Sequence, residues 1–209
     1  MTERRDFDKD AAGWDEDPRR VQQAHTIADA MIAAIGPTRE MDALDFGCGT
    51  GLVTLRLQPL VRAITGVDSS REMLRVLGDK VRALGLSNVR TELADVERGD
   101  RVAGRFDLIV SSMTLHHIRD TSGLFRHWLE CLVPGGALAV ADLDSEDGSF
   151  HSDRTGVFHH GFDRGGLLRE LAEAGFREAT VAPVTTVTRE RDGVSRTYPI
   201  FLATARRPR

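Results

Sequence analysis

A glycine-rich turn between a short apolar run and a helical pattern constrains the fold of this chain most strongly. The apolar run 41–46 stops at the sequence Gly47-Cys48-Gly49-Thr50-Gly51, and a helical pattern begins near Leu52. Glycines at alternate positions let the backbone turn tightly and approach a ligand, because no Cβ stands in the way. Such a loop is typical of a parallel sheet that binds a ligand at the carboxyl end of its first strand.

The same alternation of strand and helix continues along the chain. Further elements are predicted as strands over 63–67, 89–94, 106–110 and 137–141, and as helices over 19–35, 71–84, 122–132 and 164–174. Two later runs, 179–188 and 197–205, flank a turn signal at 191–193 and should pair as a hairpin. The sequence therefore predicts an α/β fold: a doubly wound, mainly parallel seven-stranded sheet with helices on both faces and an antiparallel hairpin at its C-terminal edge.

Composition argues against several functional classes. The chain has 209 residues and a net charge of −4, so that no general attraction to nucleic acid or anionic lipid is expected. Cys48 and Cys131 are too few for a disulfide framework or a cysteine-based zinc site. Residues 1–6 are mostly polar, which predicts neither a signal peptide nor a membrane span. We therefore expect a cytoplasmic protein that forms a single domain over residues 1–209.

The glycine loop also indicates what kind of ligand it binds. Its spacing is G-x-G-x-G, whereas dinucleotide-binding proteins have G-x-G-x-x-G. Asp45 lies two residues before the loop, where a carboxylate would repel a pyrophosphate but suit a cationic ligand. A nicotinamide oxidoreductase on a related fold is therefore disfavoured.

The segment 44–51 resembles motif I of the class I S-adenosylmethionine-dependent methyltransferases, and the resemblance extends over nearly the whole chain. Segments 67–70, 94–96, 106–113 and 133–136 are similar, in order, to later motifs of that family. The resemblance implies that the protein binds S-adenosyl-L-methionine and releases S-adenosyl-L-homocysteine. The cofactor-binding residues that it implies are Asp45, Gly47, Cys48, Gly49, Gly51, Asp68, Ser69, Asp95, Val96, Ser111 and Met113.

Two of these carboxylates have an alternative interpretation. In the family, the residue at the position of Asp68 accepts hydrogen bonds from the ribose, and the one at Asp95 contacts the adenine amino group. In the same family, backbone carbonyls after the fourth strand hold the amino end of the cofactor. Asp68 could instead cap the following helix, although Ser69 or Ser70 could also do so. Asp95 could be an ordinary loop aspartate.

Histidines follow the fourth strand at the sequence Leu115-His116-His117. A similar pair occurs in many small-molecule members of the family, including the quinone-biosynthesis branch. His116 and His117 are therefore candidate catalytic residues, as a base or an acceptor anchor near neutral pH. The alternative is that one histidine packs under the next helix and the other caps it.

Two further segments are expected to form the substrate pocket. The long connection 143–163 should be a wall or lid on the substrate side, with His151, His159 and His160 as substrate contacts. A metal site that combines these histidines with Asp144 or Asp163 is the alternative, but their spacing matches no metal motif, so none is predicted. Residues 1–36 should form an N-terminal helical cap that covers the cleft with Trp14, unless the terminus is frayed.

Taken together, these features predict an S-adenosylmethionine-dependent methyltransferase that acts on a small-molecule acceptor by in-line displacement. An RNA or protein acceptor is the nearest alternative. The fourth strand ends in Ser-Ser-Met-Thr, however, where amide and exocyclic-amine methyltransferases carry Asn/Asp-Pro-Pro-aromatic. A non-catalytic relative that binds the cofactor is the other alternative. The sequence does not determine the oligomeric state.

Overall fold

The computed structural model describes residues 5–191 and 193–209 and places seven strands in one sheet. The strands are β1 (Asp42–Phe46), β2 (Ala63–Asp68), β3 (Val89–Leu93), β4 (Phe106–Ser112), β5 (Leu132–Leu143), β6 (Arg177–Arg191) and β7 (Val194–Arg206). Their order is β3-β2-β1-β4-β5-β7-β6. Neighbours from β3 to β5 are parallel, whereas β7 pairs antiparallel with both β5 and β6. The predicted fold class is confirmed. Residues 1–4, which contributed to the prediction of no leader, and Asp192 of the predicted turn lie outside the described residues.

The helices begin and end at the residues that their sequences indicate. They are α1 (Pro18–Ile35), α2 (Leu52–Leu57), α3 (Arg71–Ala83), α4 (Thr121–Cys131) and α5 (Arg164–Ala174). The side chains of Ser70 and Asp163 accept hydrogen bonds from the first turns of α3 and α5 and cap them. Gly36 and Gly175 end α1 and α5 in the left-handed region, which glycine adopts without a steric penalty.

Alternating strand residues build two cores, one on each face of the sheet. On β4, Leu108 and Val110 pack with α1 and α2, whereas Ile109 packs with α4 and α5. Trp128 of α4 is fully buried on the second face, and burial of such a side chain contributes roughly 1.5–3 kcal/mol. Because the central strands are covered on both faces, they are apolar runs rather than alternating patterns.

Strand β5 and both strands of the C-terminal hairpin are longer than the sequence prediction. Strand β5 begins at Leu132 instead of residue 137, and its register against β4 jumps from Phe106–Leu132 to Leu108–Ala137. The sequence Pro134-Gly135-Gly136 bulges at this jump, since proline lacks a donor and Gly135 has φ +80°. The hairpin of β6 and β7 is also longer than predicted. Its Thr- and Arg-rich ends pair with each other although the apolar pattern has stopped.

The topology fixes where a ligand can bind. Strand β1 lies between β2 and β4, so the chain order reverses there, and a crevice opens at the carboxyl ends of these strands.

None of the helices within 5–191 and 193–209 has the length and apolar character required to cross a membrane.

Candidate functional site

A cavity of about 800 Å³ lies at the point where the strand order reverses. One side of it, called here the glycine end, consists of residues 45–50 with Asp68 and Asp95. The other side, called the histidine end, consists of His116, His117, Phe150 and His151. The volume falls in the range of small-molecule and cofactor sites, roughly 300–1,000 Å³.

The glycine loop is held against the end of β2 by its own backbone. The amides of Gly47 and Cys48 donate to the carbonyl of Val67 at 2.8 and 3.0 Å. A Cβ on Gly47 would lie 2.2 Å from Oγ1 of Thr114, and its φ is +73°, so a side chain is excluded there. By contrast, a Cβ on Gly49 would meet no atom closer than 3.9 Å. A Cβ at Gly49 would thus make only an ordinary contact with Met73, and the backbone of Gly49 lines the cavity.

Asp68 is fixed at the end of β2 by two backbone amides. Its Oδ2 accepts from Gly49 N at 2.8 Å and its Oδ1 accepts from Ser70 N at 2.9 Å. The cap of α3 is Ser70, whose Oγ accepts from Met73 N at 3.1 Å. Asp68 is therefore not the residue that caps the helix, and it lines the cavity beside Ser69.

Asp45 places a second carboxylate at the glycine end. It is buried, and its Oδ2 accepts from Oγ1 of Thr54 at 2.6 Å. Burial and then the charge of Asp68 raise the pKa of Asp45 to about 7, against the opposing effect of the Thr54 hydrogen bond. Asp45 and Asp68 are neighbouring carboxylates, and Asp45 is largely removed from water. A cationic partner would offset both their mutual repulsion and the cost of burying a negative charge. The residues present therefore fit a ligand with a positively charged group.

The cofactor candidates Cys48 and Asp95 have different local environments. Burial, followed by the charges of Asp68 and Asp45, raises the pKa of the Cys48 thiol, which keeps it protonated. Asp95 caps the short turn Val96–Arg98 by accepting from Glu97 N at 3.1 Å. Both residues, like Val96, also line the cavity.

The end of β4 differs in detail from the prediction. Ser111 is fully buried behind the cavity wall, where its hydroxyl donates to the carbonyl of Phe46 at 2.9 Å and joins β4 to β1. Ser112, the next residue, faces the cavity instead, as does Met113. Met113 has φ +55°, which is uncommon for a residue with a side chain, and its amide donates to Ala141 O at 2.8 Å.

His116 forms a buried pair with Asp142, a residue that the sequence reasoning did not name. Nδ1 of His116 lies 2.7 Å from Oδ1 of Asp142, and the His116 amide donates to Oδ2 at 3.3 Å. Burial acts to raise the pKa of Asp142, but the charge of His116 and the hydrogen bonds from His116 and Leu143 outweigh it and lower that pKa. An ionised carboxylate only accepts, so Nδ1 carries the hydrogen and Nε2 of a neutral His116 is unprotonated.

A signal for Asp142 was present in the sequence. It directly follows Ala141 at the end of the apolar fifth strand, one of the places where chemistry is expected in a parallel sheet.

His117 and His151 are neutral neighbours of this pair. Nδ1 of His117 donates to Gly156 O at 2.7 Å, and burial followed by the charge of His116 lowers the pKa of His117 to about 4. The His151 ring lies 4.9 Å from that of His116 and 5.7 Å from that of His117. Burial, followed by the charges of His116 and His117, lowers the pKa of His151 to about 3.

The other two histidines of the long loop lie elsewhere. Nε2 of His159 donates to the carbonyl of Ile118 at 2.8 Å, and its ring packs on Phe162. His160 is exposed, and its ring lies beside Gly148. Neither residue lines the cavity, so the structure does not support the prediction that both contact the substrate. Within the described part of the chain, His, Cys, Asp and Glu side chains form no group of three or more that could hold a metal ion.

Two segments close over the cavity. At the N-terminal side, Phe7 and Trp14 line it, and Asp8 and Asp15 anchor the segment to Ser70 at 2.5 Å and to Thr50 at 2.6 Å. From the loop 144–163, Phe150, His151 and Phe158 contribute to the wall. The neck of this loop is fixed by a bidentate ion pair of Arg164 with Asp144 at 2.6 and 2.7 Å.

Comparison with known proteins agrees with this geometry. A family model described as a methyltransferase domain matches residues 43–136. An uncharacterized methyltransferase of Schizosaccharomyces pombe is 35% identical over 156 residues, which cover 68% of this chain and 55% of that protein. A ubiquinone biosynthesis O-methyltransferase of Caulobacter vibrioides is 29% identical over 124 residues, covering 59% and 49%. This chain spans about half the length of these curated relatives.

Solved structures share the fold at low sequence identity. A chain in the complex between the Haloferax volcanii Trm112 methyltransferase activator and a methyltransferase has a TM-score of 0.76 and 17% identity, covering 98% of this chain and 99% of that chain. A complex of DhpI with SAH has a TM-score of 0.74 and 20% identity, covering 97% and 93%.

Fold, motifs and relatives together place this chain in the class I S-adenosylmethionine-dependent methyltransferase family. The match to a quinone-biosynthesis enzyme agrees with the branch that the Leu-His-His sequence resembles.

Proposed function

We propose that this protein transfers a methyl group from S-adenosyl-L-methionine to a small-molecule acceptor in the cytoplasm. One observation carries the proposal. A single cavity is lined both by a glycine end suited to a cation and by His116 of the buried His116–Asp142 pair.

The glycine end would hold the cofactor. Asp68 would accept hydrogen bonds from the ribose hydroxyls, and Asp95 would accept from the adenine amino group. The carboxylate of Asp45 and the backbone at Ser112 and Met113 would face its charged amino-acid end. The cavity-lining backbone of Gly49 and the two neighbouring carboxylates are the features that fit this group. When bound, the cofactor supplies a methyl group on a positively charged sulfur, which is already a good leaving group.

The histidine end would position the acceptor and remove its proton. Alignment of an acceptor lone pair behind the methyl group and exclusion of water can lower the barrier by roughly 7 kcal/mol or more. If the acceptor is a hydroxyl or an amine cation, Nε2 of His116 takes the proton that it loses. Asp142 then stabilises the imidazolium, as a buried carboxylate that orients a histidine does. His117 holds the turn through Gly156 and lines the same wall.

The walls favour a small acceptor over a macromolecule. The N-terminal segment, which we propose acts as a cap, and the loop 144–163, which we propose acts as a lid, both contribute aromatic side chains. A nucleic acid or protein acceptor would need these segments to open. An RNA or protein methyltransferase is the second candidate, the alternative that the sequence left open.

Calorimetric titration with S-adenosylmethionine and S-adenosylhomocysteine tests the proposal, followed by an acceptor screen that measures S-adenosylhomocysteine release. We expect both to bind at about one per chain, and turnover with a small acceptor. The double variant His116→Ala, His117→Ala should bind the cofactor normally and lose turnover. Absence of cofactor binding would contradict the proposal, and turnover with RNA or protein alone would favour the second candidate.

A further inference from the structure

The charged side chains on the cavity wall are unevenly distributed. In the described chain, the carboxylates that line the cavity are Asp45, Asp68, Asp95 and Glu97. The first three belong to the glycine end, and Glu97 accepts from the Arg119 amide at 2.9 Å. Three of these four carboxylates therefore lie on the side that we assign to the cofactor.

Two guanidinium groups reach the histidine end from distant parts of the chain. Arg189 of β6 stacks on Phe150, with 4.0 Å between its Cζ and the ring centroid. The Phe150 ring is in turn 4.8 Å from that of His151. Arg5 lies over Phe7 at 5.0 Å, and Phe7 contacts the His117 ring at 5.1 Å. Both arginines line the cavity.

His117 and His151 do not supply positive charge to this side. The pKa values of His117 and His151 are lowered to about 4 and about 3, so that both are neutral at pH 7. After burial and the neighbouring histidines, the positive charges of Arg189 and Arg5 contribute to lowering the pKa of His151. The arginines are thus close enough to act on this side electrostatically, and they give it a positive potential.

A buried polar atom also points to a ligand here. Nε2 of His151 is inaccessible to solvent and has no hydrogen-bond partner among the described residues. Buried polar atoms are paired in the great majority of cases, so an unpaired nitrogen on a ring that lines the cavity favours a ligand group as its partner. A neutral imidazole nitrogen can donate to an anion or accept from a hydroxyl.

Resting on the proposed function, we infer that the acceptor is a small carboxylic acid whose carboxylate binds at the histidine end, with Arg189 as its main cationic partner and His151 as a hydrogen-bonding group. Arg5, which forms an ion pair with Asp10 at 2.8 Å, adds to the positive potential. A planar guanidinium matches a carboxylate in two parallel hydrogen bonds, which an uncharged amide cannot reproduce. Phe7, Phe150 and Phe158 would pack against the apolar part of the acid.

The test uses the full-length chain saturated with S-adenosylhomocysteine and a panel of matched pairs. Each pair is a small acid and its amide, for example 4-hydroxybenzoate with 4-hydroxybenzamide, cinnamate with cinnamamide, and itaconate with its diamide. Binding is measured by calorimetry, and turnover is measured with S-adenosylmethionine. We expect at least one acid to bind tenfold or more tightly than its amide.

Three variants assign this preference to Arg189. Arg189→Gln should abolish the preference for the acid, and Arg189→Lys should retain part of it. Arg177→Gln changes an exposed arginine on the same strand outside the cavity and should behave as wild type. Affinity for S-adenosylhomocysteine should remain within threefold in all three, which shows that the site is folded.

The possible outcomes separate this inference from the proposed function. If S-adenosylhomocysteine binds but no acid is preferred over its amide, the inference about the acceptor is wrong and the proposed function stands. An unchanged acid preference in Arg189→Gln would also overturn the role of Arg189. If S-adenosylhomocysteine does not bind the wild-type protein, the proposed function itself fails.

Discussion

The glycine end and the histidine end of the cavity are built in different ways. The glycine end consists of short motifs directly after strands β1, β2 and β3, and backbone amides fix its geometry. The histidine end consists of residues from the turn after β4 and the loop 144–163. Asp142 of β5, Phe7 of the N-terminal segment and Arg189 of β6 pack against its rings. Local sequence thus determines the half that we assign to the cofactor, whereas long-range packing determines the half that we assign to the acceptor. The two halves should respond differently to substitution, as the following predictions test.

The largest effect is expected at the buried pair of the histidine end. Asp142→Asn can no longer hold Nδ1–H of His116 as a charged acceptor, so the tautomer with a free Nε2 is lost. We expect kcat/KM with an acceptor found in the screen to fall by about 10² to 10³. Affinity for S-adenosylhomocysteine should stay within about threefold, because the glycine end is built separately.

Asp147→Asn is the control for that experiment, since Asp147 is exposed and lies in the loop 144–163. It should leave kcat/KM within about twofold, as surface substitutions usually do. Equal losses for Asp142→Asn and Asp147→Asn would contradict the specific role of Asp142.

At the glycine end, Asp68→Ala should act on the cofactor and not on the chemistry. Loss of a charge-assisted contact of about 1.5–3 kcal/mol corresponds to roughly a 10- to 100-fold weaker affinity for S-adenosylhomocysteine. The control is Ser70→Ala, which removes the cap of α3 and should cost about 1 kcal/mol of stability with little change in affinity. Unchanged affinity in Asp68→Ala would show that Asp68 does not contact the ribose.

Lowering the pH should reduce the free energy of unfolding through protonation of a histidine at the histidine end. The pKa of His117 is about 4 in the folded protein and near 6.5 when unfolded, so unfolding takes up a proton between these values. Its contribution to stability is complete above pH 6.5 and declines as the pH falls toward 4. At pH 5 the loss is about 2 kcal/mol from His117 alone. Denaturant melts from pH 7 to 4.5 should show a shallower decline in His117→Gln, and an identical decline would refute this origin.

The smallest effect is expected from the titration of Asp45. Its pKa of about 7 means that half of the free protein carries a neutral Asp45 near pH 7. A cationic cofactor prefers the ionised carboxylate, so its affinity should rise with pH and level off above 7. Below that value we expect about a tenfold loss per pH unit. In Asp45→Asn the affinity for S-adenosylmethionine should be lower and independent of pH in this range. If the wild-type affinity does not change between pH 6 and 8, Asp45 does not face the cationic group.

Sequence alone predicted the strand and helix alternation, the hairpin at the sheet edge and the glycine loop. These features depend on local patterns: apolar runs, capping residues such as Ser70, and glycines whose φ values a side chain would forbid. The motifs around Asp45, Asp68 and Asp95 follow from topology, because the carboxyl ends of parallel strands meet at one edge of the sheet. The bulge of β5 and the true length of the hairpin did not follow, since they depend on pairing between distant strands.

The tertiary structure decided which side chains share the histidine end. Asp142 is one aspartate among many in the sequence, and only the packing of β5 beside the turn of His116 identifies it as the partner of that histidine. His159 and His160 are close in sequence to residues of the cavity wall, yet the path of the loop turns them away from the cavity. Arg189 is distant in sequence from His151, and the long hairpin together with Phe150 brings them together. Contacts of this kind form between segments far apart in the chain, where no short pattern records them, and so they emerge only on folding.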